Sequence, residues 1–297
     1  MTTLFQLQLD QSLVDCGMSY VFQLSSGHFF VLDGGYFTPD ESERLYQMLR
    51  TRSGGRKPVI DGWFFSHAHQ DHIGVFMDFI ETHLDDVEIR ELVFNFQPLQ
   101  LPESSAQWRV KCQDLATIKR FYELLAEKCS RIPVRTPHTG DIWQYGELEI
   151  EVLFTHEELD VPTNFNDHST VILVRVAQQR ILFLGDINAE GSRIMLEKRS
   201  EKLRCDIVQV SHHGFDGATP ELYAATHAKV ALWPSPVYVQ GEIRRRLANQ
   251  YLHDRSDIAE HMISGYGSAA MQLPYQPFSA KRFVSCPVQY VNTSREP

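Results

Sequence analysis

The stretch Gly62-Trp63-Phe64-Phe65-Ser66-His67-Ala68-His69-Gln70-Asp71-His72 joins an apolar run to four side chains of the kinds that hold cations. Val59 to Phe65 has the length and apolar character of a buried strand, and the polar cluster sits at its C-terminal end. His67 and His69 are two apart, so in extended backbone their side chains leave on the same side. Asp71 and His72 fall at the turn into a helix, which Ile73, Phe76, Met77, Ile80 and Leu84 predict by spacings of three and four. A lone histidine beside a strand is ordinarily a packing or surface residue. Four ligating side chains in so short a span are different, because polar groups gathered at a strand end with nothing to bind are costly to desolvate. Neutral imidazole and carboxylate suit Zn²⁺, and also Mn²⁺ or Fe²⁺.

Further along the chain, two more polar groups follow hydrophobic strands. Arg180 to Leu184 ends in Gly185-Asp186, and Asp206 to Val210 ends in Ser211-His212-His213-Gly214. Rigid strands aim loop-borne ligands at one point. The pairs His67/His69 and Asp71/His72 can then face neighbouring metals, with Asp186 placed to bridge them. Two cations about 3.5–4 Å apart share a hydroxide and polarise a phosphoryl or carbonyl oxygen. Read singly, Asp186 is as well explained as the N-cap of the next helix, and His212-His213 is ambiguous.

The rest of the chain supplies a frame for these ends. Strands are predicted over residues 4–9, 18–24, 28–33, 88–96, 146–154, 170–176 and 229–233. Helices are predicted from Pro39 to Arg50, around Leu115 to Leu125, from Glu190 to Lys202 and from Gly241 to Leu252. There is no fixed-period repeat, low-complexity stretch or obvious linker. The pattern predicts an α/β protein, two sheets between helical layers, as one domain over residues 1–297. Residues from about 265 to 297 mix Gly, Pro and aromatics and are read as a C-terminal extension with no assigned role.

Composition narrows the function. With 28 Lys and Arg against 38 Asp and Glu, the formal charge is −10. That disfavours a general nucleic-acid or membrane-surface binder, since phosphate selects for Lys and Arg, and favours a small-molecule substrate, a nucleotide-like one included. The five cysteines form no Cys-x-x-Cys pair, which fits a reducing cytosol. The N-terminus has no basic region before an apolar core, and no apolar run is long enough to span a membrane, so a cytoplasmic protein is expected.

The motif Ser66-His67-Ala68-His69-Gln70-Asp71-His72 resembles the H-x-H-x-D-H motif of the metallo-β-lactamase superfamily, and the resemblance runs over about residues 4–235. Asp33 in Val31-Leu32-Asp33-Gly34-Gly35 resembles the family's structural aspartate, and Asp186 its bridging aspartate. The segment Asn166-Asp167-His168-Ser169, with the strands and the Ser211-His212-His213-Gly214 turn after it, looks most like one branch. That branch is the hydrolase domain attached to bacterial DNA-uptake channel proteins, with its free-standing relatives. The resemblance implies an αββα sandwich and a dinuclear site, with zinc expected and manganese or iron as alternatives. His67 and His69 would bind the first metal, and Asp71 and His72 the second, with Asp186 between them. His212 or His213 would complete the second site. His212 is preferred as nearer the strand end, leaving His213 to contact substrate or protonate a leaving group. Many members have a further histidine completing the first site; the candidates here are His168, His156 and His138, of which His168 lies in the branch-like segment.

The implied activity is a metal-dependent hydrolase whose metal-bound hydroxide attacks a small phosphodiester or related ester, Asp71 or Asp186 orienting or deprotonating the water. A carboxylic ester, thioester or lactone hydrolase, or a binding protein with a weakened site, are the alternatives. Trp108 is a candidate substrate contact. Arg244-Arg245-Arg246 is read as a solvated helix face.

Overall fold

A computed structural model describes residues 1–8, 16–160, 165–255 and 257–283. The first sheet begins with β1 (Thr3–Gln6), β2 (Ser19–Gln23) and β3 (Phe29–Asp33). Helix α1 (Pro39–Arg52) follows, its first turn capped by the Thr38 hydroxyl, which accepts from the Glu41 N–H. Then come β4 (Val59–Phe64), helix α2 (Gln70–Thr82), β5 (Glu88–Ile89) and β6 (Leu92–Val93). Helices α3 (Gln100–Ser104) and α4 (Leu115–Lys128) flank one turn of π-helix at Arg109–Asp114, and β7 (Val134–Arg135) closes this half.

The second half contains β8 (Ile142–Tyr145), β9 (Leu148–Phe154), β10 (Val171–Val176) and β11 (Gln179–Phe183). Helix α5 (Ala189–Arg199), β12 (Ile207–Gln209), helix α6 (Pro220–Thr226) and β13 (Val230–Trp233) come next. Helices α7 (Gln240–Ile243) and α8 (Leu247–Asp254) precede β14 (Glu260–Ile263), β15 (Ser268–Gln272) and β16 (Lys281–Phe283).

The strands form a nine-stranded sheet in the order β16-β15-β1-β2-β3-β4-β6-β7, with β5 also on β4, and a seven-stranded sheet in the order β14-β13-β12-β11-β10-β9-β8. Period-2 alternation assigns each face. Phe30, Leu32 and Phe64 of the first sheet pack against Ile150, Val152, Val174 and Phe183 of the second. Phe29, Val31 and Trp63 point the other way, onto Ile73, Phe76 and Phe79 of α2 and Phe121 of α4. Leu173, Leu182 and Val208 meet Ile194, Leu222 and Leu252 of α5, α6 and α8. The result is two mixed sheets between helical layers, the expected αββα sandwich.

Three expectations are revised. The strand over 88–96 is two short ones, because β5 pairs with the start of β4 and β6 with its end. The helix over 241–252 breaks at Arg244–Arg246. The region after 265 is not an appendage: β15 pairs with β1 and β16 with β15. Residues 284–297 of that region lie outside the described residues. Among the described residues no helix is long and apolar enough to cross a membrane.

Parallel pairing matters most for the site. β3, β4 and β6 run parallel in one sheet, and β11 to β14 in the other. The C-terminal ends of β3, β4, β11 and β12 therefore bring Asp33, the 66–72 cluster, Asp186 and the 211–214 turn to one edge of the sandwich.

Candidate metal centre

The 66–72 cluster is fixed from behind by Asp33, which is fully buried at positive φ (54°) at the end of β3. Its carboxylate accepts from the Ser66 N–H and the Ser66 hydroxyl, both at 2.7 Å, and meets His72 Nδ1 at 2.7 Å. Its carbonyl accepts from Trp63 Nε1 at 2.8 Å. The aspartate thus ties the end of β4 to the first turn of α2, whose extended N-cap is His69. The cap lets His67 and His69 project from extended backbone while Asp71 and His72 project from helix.

Asp186 follows the β11 strand through Gly185, at φ 55°. A Cβ at Gly185 would lie 3.0 Å from the Ser169 side chain and 3.2 Å from Ser66 Cβ, so only glycine fits this turn without displacement. The Asp186 N–H donates to Ser169 Oγ at 2.9 Å. In the third segment, His212 and His213 are consecutive left-handed residues, at φ 50° and 53°. The Ser211 N–H donates to the Tyr223 hydroxyl at 2.9 Å and its Oγ to the Ile187 carbonyl at 2.6 Å, which anchors the turn to α6 and to the Asp186 loop.

Two donor groups result, and they share one carboxylate. Asp71, His72, Asp186 and His213 offer ligand atoms within 4.8 Å of one another, and so do His67, His69 and Asp186. His213 Nε2 is 3.0 Å from Asp71 and 3.4 Å from Asp186 Oδ2, and His72 Nε2 is 3.3 Å from the same oxygen. His67 Nε2 lies 3.0 Å from His69 Nδ1 and 3.8 Å from Asp186 Oδ2. The outer nitrogens are held in place. His72 Nδ1 is on Asp33, His213 Nδ1 on the Pro234 carbonyl at 2.8 Å and His67 Nδ1 by Ser66 Oγ at 3.1 Å. These partners turn Nε2 of all three rings inward.

The donor set fits a pair of divalent cations. Asp186 Oδ1 is buried with no hydrogen-bond partner. An orphaned buried carboxylate oxygen costs several kcal/mol (about 1–3 or more) unless something is bound there. Facing imidazole nitrogens 3.0 and 3.3 Å apart point to the same need.

Charge in the metal-free cluster is arranged in opposite senses on its two sides. Burial pushes His67 well below its ordinary range and His69 down to about 4, so both rings are neutral at pH 7. Burial also opposes a charge on His72, but Asp186, Asp33 and Asp71 more than reverse this and hold it up at about 10. His213 is raised for the same reason, by Asp186 and Asp71 against burial. Asp71 and Asp186 resist burial and are lowered by these imidazoliums. A protonated ring is no ligand, so cation binding must expel a proton from His72 and from His213. Calorimetric titration of the metal-free protein with Zn²⁺ at pH 7 should give a heat that varies with the ionisation enthalpy of the buffer. A buffer-independent heat would contradict the charge state described here.

The other sequence candidates fall elsewhere. His212 was preferred to His213 as the ligand, but the left-handed pair swings the His213 ring into the cluster and leaves His212 outside both donor groups. His212 Nδ1 meets the Asp216 carbonyl at 2.8 Å and its Nε2 the Asn166 amide at 3.1 Å. His168 is also outside both groups; its ring packs 4.9 Å from that of His156, and burial with the nearby His156 and His69 lowers it to about 3. His156 Nε2 meets Asn95 Oδ1 at 3.3 Å, and the exposed His138 meets Glu157 at 2.8 Å. In its segment it is Ser169, not His168, that meets Asp186, accepting from the backbone N–H, while Asp167 accepts from the Asn188 amide at the end of the same loop. Trp108 is 68% exposed. Arg246 bonds Asp216 at 2.6 Å, beside the His212 turn. Sequence reading missed Asp114, whose buried carboxylate faces His69 Nε2 at 3.9 Å. Its only signal is an acidic residue just before an amphipathic helix, which an N-cap explains equally well.

Over residues 15–237 the chain matches the metallo-beta-lactamase superfamily. ComE operon protein 3 of Bacillus subtilis (strain 168) is 23% identical over 162 residues, which make up 54% of this chain and 18% of that protein. The chain therefore spans less than a fifth of the length of this curated relative. Among solved structures, the metallo-beta-lactamase fold protein YhfI from Bacillus subtilis is similar with a TM-score of 0.54 at 13% identity, over 89% of this chain and 96% of that one. CmlA, a diiron beta-hydroxylase from Streptomyces venezuelae, gives a TM-score of 0.54 at 12% identity, over 92% of this chain and 54% of that one. At such identities the likeness is one of fold. The family match covers most of the chain and includes all three polar strand ends: this chain belongs to the metallo-β-lactamase superfamily.

Proposed function

We propose that this chain is a metal-dependent hydrolase of a small phosphodiester or related ester. The observation that carries the reading is the sharing of Asp186 by two convergent donor groups, one of neutral imidazoles and one with two carboxylates. In this reading His67, His69 and Asp186 hold one divalent cation, and Asp71, His72, His213 and Asp186 hold the other. Zinc suits the mixed nitrogen and oxygen donors, as do manganese and iron. Bound there, such cations supply Lewis acidity and draw the pKa of water toward neutrality.

The chain's own residues supply orientation and proton handling. Asp33 and the Pro234 carbonyl keep Nδ1 protonated on His72 and His213, so both rings present Nε2. Asp71 is less buried than the other donors of its group, and its carboxylate is the oxygen donor best placed to orient water at the mouth. His212 donates from Nδ1 to the Asp216 carbonyl, which leaves Nε2 as the atom that exchanges a proton. It is therefore the residue assigned to the leaving group, in place of His213. The acidic balance of the chain favours a small substrate over long nucleic acid, and five scattered cysteines with no Cys-x-x-Cys pair suit a reducing cytosol.

Substrate class is tested by a hydrolysis screen of the zinc- and manganese-loaded protein. Bis-p-nitrophenyl phosphate should turn over faster than p-nitrophenyl acetate or a homoserine lactone. Turnover of the acyl substrates alone would replace the phosphodiester assignment with an ester, thioester or lactone one.

A further inference from the structure

We infer that Asp114 is the positioning residue for His69, the carboxylate that fixes which nitrogen of this ring faces the cations. The inference rests on the metal-binding reading above. His67, His72 and His213 each have an outer nitrogen tied to Ser66, Asp33 or Pro234. His69 is turned the other way: Nδ1 faces the site, 3.0 Å from His67 Nε2, and Nε2 points outward. The group that meets Nε2 is Asp114 Oδ2, at 3.9 Å.

Asp114 reaches this place through the turn of π-helix at Arg109–Asp114, which leads into α4. Such wide turns inside helical segments recur at functional sites, because the extra residue re-aims a side chain. The side chain of Asp114 is 8% exposed, and its second oxygen lies 3.8 Å from Nε of the exposed Arg109. Phe165 stacks on the His69 ring at 5.4 Å and 10°, so Phe165 covers the face of the ring while Asp114 faces its outer edge. A separation of 3.9 Å is longer than a hydrogen bond. A shift of about 1 Å, or one intervening water, completes the contact. A proton kept on Nε2 leaves the Nδ1 lone pair for a cation, and it gives His69 the tied outer nitrogen that the other three rings have by other means.

The metal-free chain of residues 1–297 and its Asp114→Asn, Asp114→Ala and Asp114→Glu variants are titrated with zinc against a chromophoric chelator, and their melting is followed without metal. Asparagine and alanine should weaken one of the two binding steps by about ten- to hundredfold and leave the other; glutamate should restore part of the loss. The metal-free melting temperature of the asparagine variant should match wild type. Two zinc ions bound as tightly by Asp114→Asn as by wild type would overturn the positioning role. A wild-type protein that binds no zinc would instead overturn the metal reading itself. Should the alanine variant fail to fold, the near-isosteric asparagine variant decides.

Discussion

Asp186→Asn should lower phosphodiester turnover by about a thousandfold or more, and reduce bound metal from two ions per chain to at most one. Asp186 is the residue common to both donor groups. The substitution keeps the side-chain volume, and the Ser169 contact is to the Asp186 backbone N–H, so the Gly185–Ile187 loop has no reason to move. What is lost is one negative charge and one carboxylate oxygen at the residue the two donor groups share. The metal-free protein should also report this loss. In wild type, Asp186 is the leading cause that raises His72 and His213. A group raised in the folded state contributes stability in full below its unfolded pKa of about 6.5, and the contribution fades as pH climbs through the folded value. For His72 that value is about 10. Asp186 itself is depressed, so its share is present above its unfolded value, about 3.9, and is lost in acid. The variant should therefore be less stable than wild type chiefly between pH about 5 and 7, with the two converging toward pH 10 and in strong acid. Denaturant melts of both metal-free proteins across that range check the shape. Wild-type turnover with two metals in Asp186→Asn would remove the bridge from the mechanism.

The first donor pair was legible because its parts are contiguous. His67 and His69 sit on one strand exit, where a period of two places both side chains on the same side, and Asp71 and His72 open a helix with unmistakable periodicity. Asp186 was legible for a related reason, since one glycine separates it from the apolar run that ends at Leu184. The sheets could be read from alternation where one face is polar and from continuous apolar runs where both faces are buried, as in Phe29–Asp33. β15 escaped because Ser268-Ala269-Ala270 carries small side chains with no alternation, and its strand character comes from pairing with β1 more than two hundred and sixty residues away. Local pattern does not encode a partner so distant in the chain. Asp114 escaped for the same reason: what makes it notable is a histidine 3.9 Å away on another element.

The two central imidazoles of the 211–214 turn carry the other large effect. Proximity to the strand end favours His212 as ligand, on the premise that the chain leaves the strand in extended conformation. It does not: φ is 50° at His212 and 53° at His213, and each non-glycine residue in that region stores about 1 kcal/mol or more. The strain is held by the anchors of Ser211 and by Gly214, where a Cβ would come within 2.9 Å of Ile243 and 3.1 Å of Trp233. His213→Ala should then lose one metal per chain and slow hydrolysis by about a thousandfold, because its Nε2 stands 3.0 Å from Asp71 and 3.4 Å from Asp186. His212→Ala should keep both metals. Its cost should fall on the proton given to the departing oxygen, about 10²-fold or more for an alkyl ester and much less for p-nitrophenolate, which leaves without help. Asn166 supports that role, since its amide donates to the neutral ring while its Oδ1, buried and unpartnered, is available to a protonated one after rotation. Metal content and a leaving-group series measured on both variants separate the two histidines. If His212→Ala strips a metal while His213→Ala only steepens the dependence on leaving-group pKa, the ligand and the acid are the reverse of this assignment.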